Sequence, residues 1–249
     1  MKIKEQAVAK PLHLEGAWNV RDIGGYFNKN GQELKKGRFL RADALGGLTS
    51  QDVETLEKYG VVLVVDLRSH QEVEKAPYKW LDQAETIEYV SIPLLDNIQS
   101  NDGTVALPEN LHELYKGLLE ESAPEIRQVL KTFLRKEAGC CLFNCSAGKD
   151  RTGILAMLLL GLADVEEDVI AEDYGVSAGY MKPVFEKQRE ALEKAGFGKA
   201  AFLLESDPEE MKLTTRYLKE RYGSIRAYVE TLISEEEAEL LQKRLVEIN

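Results

Sequence analysis

The sequence predicts an α/β fold with a central, mostly parallel sheet flanked by helices. Residues 61–67 and 140–143 are short apolar runs, which are typical of strands buried on both faces. Residues 154–162 are continuously apolar and directly follow the second run, which predicts a buried helix. Strands that alternate with helical patterns in this way favour a parallel sheet with helices on both faces.

The first elements can be placed from turn and capping residues. Residues 1–12 are charged and lack periodicity, which predicts a loose tail, and we expect residues 13–249 to form a single domain. Residues 18–41 alternate apolar and polar groups between Gly-rich turns, which indicates short strands and loops. Thr49 with Asp52 predicts the start of a helix that ends at Gly60.

The second half is predicted to be mostly helical. Residues 87–93 favour a further strand, and residues 96–108 are polar and turn-rich, which predicts a mobile loop near the site. The predicted helices then cover residues 111–136 with a break near 122–124, residues 166–196 with breaks near 175–179 and at Pro183, and two segments that begin at Pro208 and after Ser234. Residues 183–194 could form a helical lid over the site or an ordinary packing helix.

Composition excludes several classes of protein. The chain has 249 residues, 44% hydrophobic and 30% charged residues, and a net charge of −11, so it is not suited to attract nucleic acid or an anionic membrane. No run has membrane-spanning length, and no secretory signal is visible. The cytoplasm is the expected location, with export without a visible signal as the alternative. The three histidines lack metal-ligand spacing, so neither metal nor cofactor is expected.

One loop carries the chemistry. Residues 144–153 read Asn-Cys-Ser-Ala-Gly-Lys-Asp-Arg-Thr-Gly, and five residues separate Cys145 from Arg151. The loop lies between a predicted strand and the N-terminus of a predicted helix, where backbone N–H groups form an anion-binding nest. The residues that would line this cradle are Ser146, Ala147, Gly148, Lys149 and Thr152.

These residue types predict hydrolysis of a phosphate monoester. A helix N-terminus and a guanidinium favour the thiolate of Cys145, which can attack phosphorus and form a cysteinyl-phosphate. Arg151 presents a planar guanidinium that matches two phosphate oxygens, and the Thr152 hydroxyl can donate a hydrogen bond to the thiolate. Inorganic phosphate is therefore an expected ligand of the loop.

The leaving group also needs a general acid. Asp150 is the first candidate, and Asp22, Asp66 and Asp96 are the alternatives. Arg68 follows the predicted strand that ends near Asp66, and it either contacts substrate or forms an ion pair with Glu72 or Glu74. Arg21 is a further group that could help to capture a phosphorylated substrate.

Cys140 and Cys141 are adjacent on a predicted strand, so their side chains point to opposite faces. Core packing is the favoured role for both. The alternative is a resolving thiol that protects oxidised Cys145.

The loop residues resemble the cysteine-dependent protein tyrosine phosphatase superfamily. The chain is most similar to the bacterial family that includes the secreted mycobacterial and listerial phosphatases, whose loops have the form Cys-x-Ala-Gly-Lys-Asp-Arg-Thr-Gly. Weaker similarities follow in the family's order at residues 16–26, 38–43, 65–69, 173–174 and 222–224.

The resemblance implies a tyrosine phosphatase fold and assigns roles to loop residues. It implies that Cys145 is the nucleophile, that Arg151 binds phosphate and that Asp150 is a candidate acid, ahead of Asp66. It also implies phosphotyrosine proteins as substrates, with Asp66, Arg68, Arg21 and Asp22 among the substrate-binding candidates. Lys149 resembles a lysine of phosphatases that also accept phosphoinositides, so a phosphoinositide phosphatase is the alternative enzyme.

One position departs from the family pattern. Asn144 stands where family members usually carry histidine before the cysteine. Asparagine can hydrogen-bond the loop backbone but cannot carry a charge. We expect activity to survive, and Asn144 is the reason to keep a weakly active phosphoprotein-binding module as a further alternative.

Overall fold

The computed structural model describes residues 7–84, 86–94 and 110–247. Within these ranges one sheet has the strand order β1-β2-β5-β3-β4. Only β1 runs antiparallel to its neighbour, so the predicted mostly parallel sheet is confirmed. The strands are β1 (Arg21–Asp22), β2 (Phe39–Ala42), β3 (Val61–Asp66), β4 (Glu88–Ser91) and β5 (Cys140–Asn144).

Helices occupy most of the rest of the described chain. They are α1 (Ser50–Tyr59), α2 (His70–Lys75), α3 (Leu111–Glu121), α4 (Ala123–Leu134), α5 (Asp150–Leu162), α6 (Glu167–Gly175), α7 (Ser177–Tyr180), α8 (Lys182–Lys194), α9 (Pro208–Tyr222), α10 (Ile225–Leu232) and α11 (Glu235–Leu245). The capping box at Thr49 and the left-handed end of α1 at Gly60 are confirmed. The break near residue 122, the start at Pro208 and the cap at Ser234 are confirmed as well.

The sheet separates two apolar cores, because successive strand residues point to opposite faces. On β5, Cys141 and Phe143 join a large core with helices such as α4, α5 and α11. Cys140 and Leu142 face the other way, into a smaller core that includes α1 and Trp80. Helices therefore cover both faces, and the predicted opposite orientation of the two cysteines is confirmed.

The strand order places β5 in the middle of the sheet, between β2 and β3. These three strands are parallel, so their carboxyl ends meet at one edge. In open α/β sheets ligands bind at that edge. Asp43, Leu67 and Cys145 are the first residues beyond these strands, so the loop that contains Cys145 lies at the centre of the edge.

The N-terminal segment is anchored more firmly than the sequence predicts. Residues 9–12, which the sequence assigned to a loose tail, are instead hydrogen-bonded to the domain: Leu12 N–H donates to Val20 O at 2.7 Å, and Tyr180 OH donates to Ala9 O at 3.2 Å. The predicted mobile loop, residues 96–108, lies outside the described residues. In the described ranges, every helix is too short or too polar to cross a membrane.

Candidate active site

The loop between β5 and α5 positions Cys145 at the base of a cradle. Cys145 directly follows Asn144, the last residue of β5, and is 2% exposed. Asp150, Arg151 and Thr152 form the first turn of α5, so their side chains start at the positive end of that helix. The predicted strand, loop and helix order is confirmed.

The carbonyl groups of the loop are held on its outer side. Ser146 O accepts from Ala44 N–H at 3.1 Å. The Asn19 side chain donates to Ala147 O at 3.0 Å and to Gly148 O at 3.1 Å. In a trans peptide the C=O and the following N–H point in opposite directions. The N–H groups of Ala147, Gly148 and Lys149 are therefore turned to the inner side, as an anion-binding nest requires.

Gly148 is required by both conformation and space. Its φ is +64°, a left-handed conformation that side chains with a Cβ disfavour. A Cβ there would lie 2.6 Å from backbone atoms of Ala42 and Asp43. The loop can approach β2 this closely only with glycine at this position.

A buried charged cluster supports the loop from behind. The Asp173 carboxylate on α6 accepts from Arg21 Nε at 3.0 Å and from Arg41 Nη1 at 2.5 Å, and all three residues are fully buried. Arg41 Nη2 also donates to Gly148 O at 2.8 Å. Burial alone would raise the pKa of Asp173, but the two guanidiniums lower it to about 2. Arg21, a predicted substrate-binding residue, thus lies in the support behind the loop.

Arg151 faces a carboxylate that the sequence did not assign to it. Glu72 on α2 accepts from Arg151 Nη1 at 2.6 Å and from Nη2 at 2.8 Å. Glu72 also accepts from the Ser146 hydroxyl and from Ser69 N–H. Burial acts to raise the pKa of Glu72, but the bonds to Arg151 hold it well below its usual range. Among the described residues, Nη1 also donates to Leu67 O and Nη2 to the Ser146 hydroxyl, so these contacts leave the Nε–H of Arg151 unbonded.

The Asp150 side chain is held by Tyr115 and Lys149. Its Oδ1 accepts from Tyr115 OH on α3 at 2.7 Å and pairs with Lys149 Nζ at 2.8 Å. The side chain of Asp150 is 24% exposed, whereas that of Lys149 is fully buried. Lys149 Nζ also donates to Glu205 O at 2.6 Å. Lys149 was predicted to contact substrate, but its ammonium group lies inside the protein.

The other candidate aspartates are engaged in structural contacts. Asp66 is fully buried and accepts from Arg68 Nη2 at 2.7 Å and from Tyr89 OH at 2.9 Å. Arg68 pairs with Asp66, so the alternative pairing of Arg68 with Glu72 or Glu74 is wrong. Asp22 accepts from Gly24 N–H and Gly37 N–H, both at 2.6 Å, and from a tyrosine hydroxyl, so it holds the turn after β1. Asp96 lies outside the described residues.

Asn144 connects the loop to this buried group. Its Nδ2 donates to Tyr78 OH at 2.6 Å, to Asp66 Oδ1 at 3.3 Å and to Cys145 O at 3.4 Å. The predicted hydrogen bond from Asn144 to the loop backbone is confirmed. Among the described residues, Asn144 Oδ1 and Thr152 Oγ1 are buried without a hydrogen-bond partner. The Thr152 hydroxyl thus remains available to a thiolate or to a bound anion.

The resolving-thiol alternative for Cys140 and Cys141 is wrong on distance. Cys141 precedes Cys145 by four residues along an extended strand, which is a span of roughly 13 Å. A disulfide needs Cα atoms within about 7 Å. Both thiols are buried in the two cores, where burial raises their pKa values.

Helix α8 lies beside the loop. Phe185 of α8 packs with Met181 and Leu204 in a small cluster, and Ala147 of the loop packs against that cluster. Phe185 is the one buried residue of α8, so the helix is lightly anchored. This placement is compatible with a cover over the loop and with an ordinary packing helix, and both stay predictions.

Comparison with known proteins agrees with this geometry. The family model described as "Tyrosine phosphatase family" matches residues 12–247. The chain belongs to the tyrosine phosphatase family. The resemblance inferred from the loop is therefore confirmed, and this tyrosine phosphatase is an enzyme of the phosphate-monoester hydrolase class.

Two bacterial relatives show how far the similarity extends. A tyrosine-protein phosphatase of Nostoc commune is 32% identical over 221 residues, which cover 83% of this chain and 74% of that protein. The triple specificity protein phosphatase PtpB of Mycobacterium tuberculosis is 27% identical over 194 residues, which cover 65% of this chain and 67% of that protein.

Sequence reasoning gave no site role to six residues that support the loop or Asp150, although four of them lie in segments similar to the family: Asn19, Arg41, Glu72, Tyr115, Asp173 and Tyr174. One signal was available for part of this set. Arg41 lies between the apolar residues Leu40 and Ala42 in a buried strand, and buried charges are normally paired. The pairing of Glu72 with Arg151 spans 79 residues of sequence and had no local signal.

Proposed function

We propose that this phosphatase hydrolyses phosphotyrosine in proteins through a cysteinyl-phosphate on Cys145. The observation that carries this proposal is the loop itself. Three successive carbonyl groups, those of residues 146–148, are bonded on the outer side, so the N–H groups that follow them point to the inner side of the loop. Such preorganised donors stabilise the charge that develops on phosphoryl oxygens in the transition state.

In the first step the Cys145 thiolate attacks phosphorus while the inner N–H groups and the Nε–H edge of Arg151 hold the phosphoryl oxygens. The bond from phosphorus to the phenolic oxygen breaks, and a proton passes to that oxygen from the acid. In the second step water attacks the cysteinyl-phosphate, the acid residue accepts its proton, and the thiolate leaves. Glu72 keeps the Arg151 guanidinium in place through two hydrogen bonds.

Asp150 is the proposed acid. Its carboxyl group is partly exposed and begins the helix that carries Arg151, whereas Asp66 is enclosed by Arg68 and Tyr89. Both contacts of Asp150 with Tyr115 and Lys149 use Oδ1, so Oδ2 is the oxygen that can face the leaving group. The enclosure of Asp66 argues against a direct role in catalysis.

Lys149 was the reason to consider phosphoinositides as the preferred substrate. Its ammonium group is buried and bound to Glu205 O and Asp150, so it is not positioned to meet a lipid headgroup. We therefore favour phosphotyrosine. Equal or faster turnover of a soluble phosphoinositide, relative to a phosphotyrosine peptide, would reverse that preference.

The test of the proposal is phosphate release from a phosphotyrosine peptide under reducing conditions. Cys145→Ser should abolish release and retain peptide binding, because serine is not ionised at neutral pH and the cradle is unchanged. Cys140→Ser is the matched control, since it makes the same change at another buried cysteine, in the strand that precedes the loop, and it should retain activity. Tight peptide binding without release by the unaltered protein would instead support a phosphoprotein-binding module.

A further inference from the structure

We propose that Tyr115 and Tyr174 are positioning residues that hold one oxygen of Asp150 and thereby select the oxygen that delivers the proton. This inference rests on the proposed role of Asp150 as the acid. The two tyrosines come from α3 and α6, which are separate in sequence and both pack against α5.

The hydrogen bonds form a continuous chain. Tyr115 OH lies 2.7 Å from Asp150 Oδ1 and 2.5 Å from Tyr174 OH. Their rings meet edge to face, with centroids 5.9 Å apart, and both residues are buried. Rigid packing of this kind fixes the direction in which the Tyr115 hydroxyl can donate.

The order of donors follows from chemistry. An ionised carboxylate only accepts hydrogen bonds, so the Tyr115 hydroxyl donates its single proton to Asp150. The Tyr115 oxygen must then accept from the Tyr174 hydroxyl. Burial, followed by the negative charge of Asp150, raises the pKa of Tyr115 well above its usual value and raises that of Tyr174 as well. Both tyrosines therefore stay protonated and act as donors throughout.

Oδ1 also meets the Lys149 ammonium at 2.8 Å, so two donors point at this one atom. A proton on Oδ1 would face both of them, which is unfavourable. The proton that Asp150 transfers must therefore sit on Oδ2. Charged or titratable groups near this series of hydrogen bonds are Cys145, Arg151, Arg41 and Glu210. A Tyr→Phe change leaves all of them in place, so its effect reports the hydrogen bond alone.

The experiment compares kcat/KM of Tyr115→Phe on two aryl phosphates. Phenyl phosphate has a poor leaving group and depends on the acid, whereas p-nitrophenyl phosphate has a good one and depends on it little. We expect a loss of roughly 10-fold on phenyl phosphate and under about 2-fold on p-nitrophenyl phosphate.

Tyr228→Phe is the matched control. Tyr228 is equally buried, and its hydroxyl donates one hydrogen bond to Leu119 O at 2.6 Å. It should change stability by about as much as Tyr115→Phe and leave both substrates unaffected. Tyr174→Phe is a second test and should give a smaller loss of the same kind, roughly 3-fold on phenyl phosphate.

Asp150→Asn separates the two levels of the proposal. The tyrosine acts through Asp150 if two results hold. Asp150→Asn must slow the hydrolysis of phenyl phosphate selectively, and Tyr115→Phe must cause no further loss when it is combined with Asp150→Asn. Equal losses on both substrates, or losses matched by Tyr228→Phe, would overturn the role of the tyrosines while Asp150 remains the acid. If Asp150→Asn itself shows no dependence on the leaving group, the assignment of the acid fails and the role of the tyrosines fails with it.

Discussion

Asp173 should hold both the fold and the catalytic loop together. Asp173→Asn keeps the size of the side chain but removes the charge that faces Arg21 and Arg41. An amide group would also place N–H donors against guanidinium donors. Loss of one partner from a buried ion pair costs about 3–5 kcal/mol, and here two buried cations lose their partner.

The expected effect on stability is large for a single substitution. For a protein of this size, a loss of this order lowers Tm by roughly 10 °C. Asp173 should also shape the dependence of stability on pH. Its pKa is lowered to about 2 in the folded protein, so its contribution is present above about pH 4 and is lost as pH falls towards 2. Asp173→Asn should remove that part of the acid transition.

Activity should fall as well, because Arg41 pairs with Asp173 and also donates a hydrogen bond to Gly148 O in the loop. We expect kcat/KM to drop by more than about 10-fold at a temperature where the variant is still folded. The control is Asp168→Asn on the same helix, whose 74% exposed carboxylate pairs with Lys212 and whose loss should cost under about 1 kcal/mol. Thermal unfolding and activity of Asp173→Asn that match this control would refute the reasoning.

Three further predictions concern residues around the loop. Glu72→Ala should lower kcat/KM by roughly 10-fold because Arg151 loses its partner. Glu74 is exposed on the same helix, so Glu74→Ala should leave kcat/KM unchanged. Gly148→Ala should abolish phosphate release through steric overlap with β2; Gly31→Ala, which has φ of +75° but open space, should cost only about 1 kcal/mol by thermal unfolding and stay active. Burial raises the pKa of Asp43 to about 6, so its stabilisation is full below about pH 4 and is lost, by about 3 kcal/mol, as pH rises through 6. The free energy of unfolding, measured as a function of pH, should fall over this range, and that of Asp43→Asn should not.

The architecture was predictable because its signals are local. Apolar runs mark β3 and β5, the Thr49 and Ser234 caps mark helix starts, and Pro208 marks another. Each of these depends on neighbours within a few residues. The loop was predictable for the same reason, since its cysteine, glycine and arginine lie within one short segment.

The support behind the loop was not predictable in detail because its partners are distant in the chain. Asn19 reaches Ala147 across 128 residues, and Arg41 reaches Asp173 across 132 residues. A single sequence can indicate that a buried charge needs a partner but not which residue supplies it. Even a near partner can be missed: the sequence left Arg68 either to contact substrate or to pair with Glu72 or Glu74, whereas Asp66, two residues away, is its partner.

The position of Lys149 shows a different limit. Its place in a phosphate-binding loop favoured contact with substrate, but helix geometry at the start of α5 turns the side chain towards Glu205. Side-chain direction depends on the backbone conformation of each residue, which the loop pattern does not specify. The lysine thus supports Asp150 from inside the protein.

The most direct test of the central claim is to look for the covalent intermediate. The protein would be mixed with p-nitrophenyl phosphate, quenched in acid within the first turnover and digested for mass spectrometry, with Cys145→Ser treated in parallel. We predict one phosphoryl group on the peptide that contains Cys145 and none on the variant. Phosphate release at the full rate without a phosphorylated cysteine, or undiminished release by Cys145→Ser, would contradict the account.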